Sequence, residues 1–388
     1  MRILRVHNYY QQAGGEDLSH AAEIELLLNN GHVVEQLHVY NSDIKSKVQT
    51  AIETIWSVRG YKLLKEKVLE FKPDAVHFDN FFPLISPAAF FAVKKLKIPV
   101  IITLRNYRLI CLNAFLLRNH NVCEICLNNF FAYNGVIKRC YRNSLLGSFT
   151  IALMITVHKL IGTWNTKVDS YIVLTNFARL KFIEAGFPPQ KISVKPNFVI
   201  PDPGEGQGAG NYAVFVGRLS QEKGISTLLS VWQNNGDLPI LKIIGNGPLL
   251  ASVLQSTKTS KSNIEYLGQK SNIEVLNIIG NAMFLLFPSL CYEGMPRTIL
   301  EAFAKGTPVI ASDIGAASEM ITNNINGFLF RKGDCSDFLK KILIFMNSNI
   351  PQLREHSRQT YLSNYTPAKN IKMLLDIYNN AISTIDDQ

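Results

Sequence analysis

Short apolar, β-branched runs alternate with longer stretches in which apolar residues recur every three or four positions, and this alternation fills most of the chain. Runs at residues 3–7, 33–39, 75–78, 100–104 and 171–174 predict strands in the first half, and runs at 212–216, 240–244, 264–267, 284–287, 308–311 and 327–330 predict strands in the second. Strands this short and this continuously apolar, joined through helical segments, form parallel sheets covered by helices on both faces. The predicted fold class is α/β, with two Rossmann-like, doubly wound parallel-sheet domains facing a cleft, since such sheets take ligands beyond the carboxyl ends of their strands. Residues 201–211 hold four glycines and two prolines and punctuate the two halves. The expected organisation is a domain over 1–200, a linker over 201–211, a second domain over 212–366, and a closing helix over 367–388. Ile371, Leu374, Leu375, Ile377, Tyr378 and Ile382 give that last helix an apolar face.

Composition narrows this picture. The chain has 388 residues, 47% apolar and 18% charged, which excludes a disordered or low-complexity protein. Met1 to Val6 is followed at once by His7 and Asn8, which is not the pattern of an export signal, so the expected location is cytoplasmic. The longest apolar stretch, 145–161, is broken by Ser148, Thr150, Thr156, His158 and Lys159 and falls short of a membrane span. The formal charge of +10 lies wholly in the first half, where residues 1–200 hold 24 basic and 14 acidic side chains. Between Lys94 and Lys195 there are 15 basic residues against Glu124, Asp169 and Glu184. A surface of that sign attracts an anionic partner, namely nucleic acid, an anionic membrane leaflet or a phosphorylated substrate. Nucleic acid is disfavoured because the basic region lacks interleaved aromatic and glycine residues.

Four loops carry candidate chemistry. Gly14 and Gly15 follow the first strand and precede a helical pattern, where glycines allow close approach and a helix start offers N–H groups to an anion. Gly217, Arg218 and Lys223 follow the strand at 212–216, and two cations five residues apart suit a diphosphate becoming a leaving group. Glu293, Gly294, Met295, Pro296, Arg297, Thr298 and Glu301 follow the strand at 284–287. Proline fits an early helical position, which makes the Gly294 to Thr298 amides a helix amino-terminus flanked by two carboxylates eight residues apart. Cys111, Cys123, Cys126 and Cys140 form a C-x11-C-x2-C-x13-C series whose central pair has the spacing of a zinc knuckle, and a structural zinc there would fasten an irregular insertion over 111–140. The alternatives for these thiols are a redox pair and simple packing. Among the histidines, His77 at a strand end is placed to contact an acceptor, and its alternative is a satisfied structural role.

Taken in order, Gly217 to Lys223, Gly245 to Pro248, Glu293 with Glu301, Gly306 to Ser312, Gly315 with Glu319, and Asn326 to Leu329 resemble the sugar-nucleotide domain of family 4 glycosyltransferases, retaining enzymes of the two-domain GT-B fold. Gly14 to Asp17 and His77 to Pro83 are similar to that family's first domain. The resemblance implies that Arg218 and Lys223 bind the donor diphosphate, that Glu301 holds the ribose, and that Glu293 with the Gly294 to Arg297 backbone holds the transferred sugar. It implies that Gly15 approaches the diphosphate from the other domain, that the linker permits cleft closure, and that the last helix crosses back to the first domain. It further implies a nucleoside-diphosphate sugar donor, a glycan or lipid-linked acceptor in surface polysaccharide or lipopolysaccharide assembly, and no cofactor beyond the protein's own cations. The chain departs from the family at Arg105, where members carry a histidine facing the reacting sugar. Arginine accepts no proton at neutral pH, so a role on a phosphate or a sugar hydroxyl is expected instead. The stretch 145–161, next to Lys138, Arg139 and Arg142, reads either as a peripheral contact with an anionic membrane or as a core helix. Two rival functions remain open: an epimerase or phosphorylase of the same fold, which a product assay with donor alone separates, and a catalytically weakened sugar-nucleotide-binding or membrane scaffold, which donor turnover excludes.

Overall fold

The computed structural model describes residues 1–10, 14–44, 46–258 and 263–386. Gln12 and Ala13, at the start of the first glycine loop, lie outside the described residues. The chain divides into two compact units. The first comprises Met1–Leu116, Glu124–Pro196 and Ala368–Gln388, and the second comprises Leu117–Cys123 and Asn197–Pro367.

Fourteen strands are described: β1 (Arg2–Tyr9), β2 (Val33–Tyr40), β3 (Ala75–Asn80), β4 (Val100–Leu104), β5 (Leu117–Arg118), β6 (Asn121–Val122), β7 (Ser170–Val173), β8 (Ile192–Val194), β9 (Tyr212–Val216), β10 (Ile240–Ile244), β11 (Ile264–Gly268), β12 (Phe284–Phe287), β13 (Val309–Ser312) and β14 (Gly327–Phe330). The first unit's sheet runs β2-β1-β3-β4-β7-β8 and the second unit's runs β11-β10-β9-β12-β13-β14, all parallel, while β5 and β6 pair as a small antiparallel hairpin. β3, β4, β7, β12 and β13 are buried at every position, as strands covered on both faces must be. Pro308, expected inside a strand, stands just before β13; it has no N–H to give to the ladder, and its carbonyl accepts from the Leu285 amide at 2.9 Å. The three-residue β8 and the hairpin are too short to leave a pattern in the sequence.

Residues 201–211 lie along the second unit: the amides of Gly206, Gly208 and Gly210 donate to the carbonyls of Lys305, Gly280 and Asn281 at 2.9, 3.0 and 2.8 Å. Arg358 holds Asp202 through two bonds of 2.8 and 2.7 Å, and Arg354 reaches the Gly206 carbonyl at 2.9 Å. A Cβ on Gly206 would overlap the Gly280 backbone, so this glycine serves close packing. The helix Leu145–Leu160 sends Ser148, Ile151, Ala152, Met154 and His158 inward and leaves its other face open. No helix among the described residues is long and apolar enough to cross a membrane. The closing helix spans Pro367–Asp386 and groups with the first unit.

Candidate active site

In the second sheet β10 and β11 lie on one side of β9, and β12 to β14 lie on the other. Loops leaving β9 and β12 therefore diverge at the carboxyl edge, the switch point where doubly wound sheets receive ligands. The β9 loop carries Gly217, Arg218 and Lys223, and the β12 loop carries Glu293 to Pro296. The two loops are stapled together, because the Leu290 amide donates to the Glu222 carbonyl at 2.8 Å, with the Ser289 hydroxyl oxygen 3.2 Å from the same atom. Gly224, with φ +73°, passes so near Pro288 that a Cβ would overlap the Pro288 carbonyl oxygen. Gly245, in the β10 loop, approaches the Gly217 carbonyl in the same way.

This stapling brings Lys223 against Glu293, where the ammonium donates to Oε1. The Ser289 hydroxyl donates to that oxygen at 3.0 Å. Burial disfavours the ammonium, but the neighbouring carboxylate outweighs it and raises the lysine's pKa. Cys291 lies beside the pair, and burial pushes its thiol up to about 12, which makes it a packing group. Arg218 is exposed at the loop's edge and Gly217 is half-buried beside it. Pro296 is the cap residue of the helix Arg297–Ala304, one step earlier than the sequence suggested. The first amides of that helix, including those of Arg297 and Thr298, have no acceptor within it. Gly294 and Thr298 are half-buried, and Met295 is buried with its sulfur accepting from the Asn197 amide at 3.2 Å. Glu301 is buried one turn on, 3.6 Å from the Arg297 Nε; burial pushes its carboxyl up against the pull of that guanidinium. A buried carboxylate with so little local company suits an incoming pair of hydroxyl donors.

The first unit carries the expected residues Gly14, Gly15, Arg105 and His77. Gly14 and Gly15 are exposed at the start of the helix Gly15–Asn29, and the Gly14 amide donates to Asp17 Oδ2 at 2.9 Å while His7 Nε2 bonds Asp17 Oδ1 at 2.8 Å. Arg105 does not face open space. Its side chain is 3% exposed and bonds Glu23 and Asp79 at 3.1 and 3.0 Å. Glu23 also takes Lys195 and Arg5, each at 2.8 Å, and Asp79 takes Arg5 and His20. Two buried carboxylates need cations, and Arg105 is one of those that answer them. His77 likewise belongs to the core. Its Nε2 bonds Thr103 at 2.7 Å, and its Nδ1 receives the Tyr378 hydroxyl at 2.7 Å and an Arg5 N–H at 3.0 Å. The arginine's donor makes Nδ1 an acceptor, so the ring is neutral, and burial holds its pKa well below the ordinary histidine value of 6.5.

That neutral ring predicts a pH dependence. Unfolding exposes His77 to protonation below pH 6.5, so the unfolded state binds more protons and stability falls as the solution is acidified. The slope should approach about 1.4 kcal/mol per pH unit from this group below its unfolded pKa. Denaturant unfolding between pH 7.5 and 5.5 reads it, and His77→Gln should flatten the curve.

Metal analysis of the purified protein tests the structural-zinc expectation for the four cysteines. Among the described residues, the groups of three or more metal-capable side chains are His7, His20 and Asp79, and Glu23, His77 and Asp79. Neither contains a cysteine, and both carboxylates are already engaged by guanidinium or ammonium groups. Cys111 donates to Asn113 at 3.0 Å, and burial pushes its thiol up to about 11. Cys123, Cys126 and Cys140 are half-buried.

Residues 204–365 match the family model for glycosyl transferases group 1. That stretch contains Gly217 through Glu301, the whole of the stapled site. An uncharacterized glycosyltransferase of Methanocaldococcus jannaschii, MJ1178, is 33% identical over 144 residues, covering 37% of this chain and 40% of that protein. An Escherichia coli UDP-Gal:alpha-D-GlcNAc-diphosphoundecaprenol alpha-1,3-galactosyltransferase is 27% identical over 143 residues, 36% of each chain. The chain thus matches about two fifths of the length of these curated relatives. The crystal structure of Anabaena HepE in complex with UDP superposes with a TM-score of 0.67 over 100% of both chains at 15% identity. The fold class is GT-B, two Rossmann-like parallel-sheet domains, as the sequence predicts.

The sequence reading missed Arg5, Glu23, Asp79 and Lys195. A signal was present in Arg5, a charged residue set between Leu4 and Val6 in a strand whose residues Ile3 to Asn8 are all buried. A cation there requires a buried carboxylate opposite.

Proposed function

We propose that this chain is a glycosyltransferase that moves a sugar from a nucleoside-diphosphate sugar to a glycan or lipid-linked acceptor, with retention at the anomeric carbon, in the assembly of a surface polysaccharide or lipopolysaccharide. The observation that carries this reading is the Lys223–Glu293 pair at the β9–β12 switch point, on the loops that also carry exposed Arg218 and lead into the helix Arg297–Ala304. Lys223 and Arg218 supply positive charge for the departing diphosphate, and the helix start supplies N–H donors aimed at the same anion. Glu301 accepts the ribose hydroxyls. Glu293, held by Lys223 and Ser289, orients the sugar being transferred. The UDP bound by HepE supports a nucleoside diphosphate at this site, and the lipid diphosphate in the Escherichia coli relative's name supports an anionic lipid-linked acceptor.

The test is incubation of the full chain with a panel of nucleoside-diphosphate sugars and polyprenyl-diphosphate glycan acceptors. Nucleoside diphosphate release is followed, and the new anomeric linkage is read by NMR. An α-linked product from an α-linked donor supports the reading. A donor converted to another sugar nucleotide without acceptor would establish an epimerase instead.

A further inference from the structure

Three helices of the first unit present apolar side chains outward at helical spacing. The helices Lys47–Ile55 and Tyr133–Ile137 both pack on the helix Leu145–Leu160. The packing is fixed by polar and ring contacts: His158 Nε2 bonds the Ile55 carbonyl at 2.8 Å, and the Trp56 and His158 rings stack with centroids 5.7 Å apart. On the outer faces Val48 and Ile52 are 65% and 64% exposed, Tyr133 and Ile137 are 53% and 70%, and Leu145, Leu146 and Phe149 are 51%, 61% and 45%. The first two pairs are each four residues apart, as are Leu145 and Phe149, so each set lines one side of its helix. On the longest helix the same side continues through half-buried Leu153 and Val157 to exposed Leu160. Its outward stripe holds no charged residue, whereas a helix on a water-facing surface carries its polar residues there.

The charges around these helices are mostly basic. Lys138, Arg139, Arg142 and Lys159 fall between residues 133 and 161, where there is no Asp or Glu, and Lys47 begins the first of the three helices. The acidic residue on that helix is Glu53, which is half-buried and bonded by Gln49 at 2.8 Å. An apolar face bordered by cations matches the surface of an anionic bilayer, where alkyl groups enter the acyl boundary and basic side chains remain at the phosphate level.

We propose that Val48, Ile52, Tyr133, Ile137, Leu145 and Leu146, bordered by Lys138, Arg139 and Arg142, form a docking surface for an anionic lipid membrane. The surface deepens the reading of a lipid-linked acceptor by naming where the protein meets the lipid, and it stands on side chains remote in sequence from Lys223 and Glu293. Each basic side chain should contribute on the order of fivefold to the partition onto anionic lipid, an effect weakened by salt.

Sedimentation of the full chain with phosphatidylglycerol–phosphatidylcholine vesicles, and with phosphatidylcholine alone, tests this. The wild type should pellet with the anionic vesicles and not with the neutral ones, and high salt should reduce the bound fraction. Leu146→Asp combined with Ile137→Asp should lower the partition coefficient at least tenfold, as should Arg139→Glu combined with Arg142→Glu. Ile325→Asp, at an exposed apolar position in the second unit, should leave it unchanged. All five exchanged side chains are largely solvent-facing, and matching melting temperatures confirm that the variants fold. Wild type left in the supernatant with anionic vesicles overturns the proposal. So does equal binding to neutral vesicles, or a wild-type dimer that Leu146→Asp splits, which would assign the surface to a second copy. Nucleoside diphosphate release separates this from the transferase reading: vesicle binding without turnover leaves the surface standing and removes the enzyme, and turnover without vesicle binding does the reverse.

Discussion

Glu293→Ala is expected to lower donor turnover by about two to three orders of magnitude while leaving the melting temperature within a few degrees of wild type. The carboxylate is 20% exposed at the edge of the second sheet, so its removal opens no core cavity. What it removes is the acceptor shared by Lys223 and Ser289, and with it the orientation of whatever sugar sits against the loop. Lys223 remains and is freed toward a phosphate, so binding of a nucleoside diphosphate should hold or tighten as kcat falls. That split, a lower kcat with an unchanged or lower KM, separates a residue acting on the transferred group from one that merely binds the nucleotide. Kinetics of nucleoside diphosphate release by wild type, Glu293→Ala and Glu293→Gln would read it, with Gln recovering little because it cannot offer a charge to Lys223.

The largest loss of stability should come from the other unit. Asp79→Ala removes the carboxylate that meets Arg5, His20 and Arg105 in a region closed to water, and leaves two guanidinium groups with one buried acid, Glu23, which Lys195 already shares. Burial alone would raise the Asp79 pKa, but Arg5 and its neighbours hold it well below the ordinary carboxylate range, so the group is charged in the fold. Breaking a buried ion pair from one side costs about 3–5 kcal/mol. Because the chain has two compact units, urea unfolding followed by separate probes should show the transition of the first unit moving while that of the second holds. Arg105→Ala should act in the same direction with a smaller effect, since Glu23 and Asp79 each keep another cation. An Arg105 variant that lost turnover with no change in stability would return that residue to the reaction.

The parts of this account legible in the sequence are those set by local pattern. β9, β10, β12 and β14 fall at the expected residues because each is a short apolar run closed by a glycine, proline or polar loop. Gly217, Arg218, Lys223 and Glu293 share one loop system because the strands that bear them are neighbours at the switch point, which follows from a doubly wound order. What escaped the sequence was set by distant partners. His77 reads as an accessible strand-end residue until Tyr378, 301 positions later, is found against its Nδ1. Arg105 reads as a ligand for an anion until Glu23 and Asp79 are seen to be the anions. The glycines at 206, 208 and 210 give the composition of a tether, yet their lack of side chains is what lets the segment lie on Gly280 and Arg354.

The central claim is that the β9 and β12 loops of the second unit hold a nucleoside diphosphate through Arg218 and Lys223. Isothermal titration calorimetry of the full chain with UDP and the other nucleoside diphosphates tests it most directly. Saturable one-site binding is predicted for at least one of them, weakened at least tenfold, about 1.4 kcal/mol, by Arg218→Ala and by Lys223→Ala and unaffected by Arg139→Glu. Absence of heat with every nucleoside diphosphate, or equal affinity in wild type and both loop variants, would contradict it.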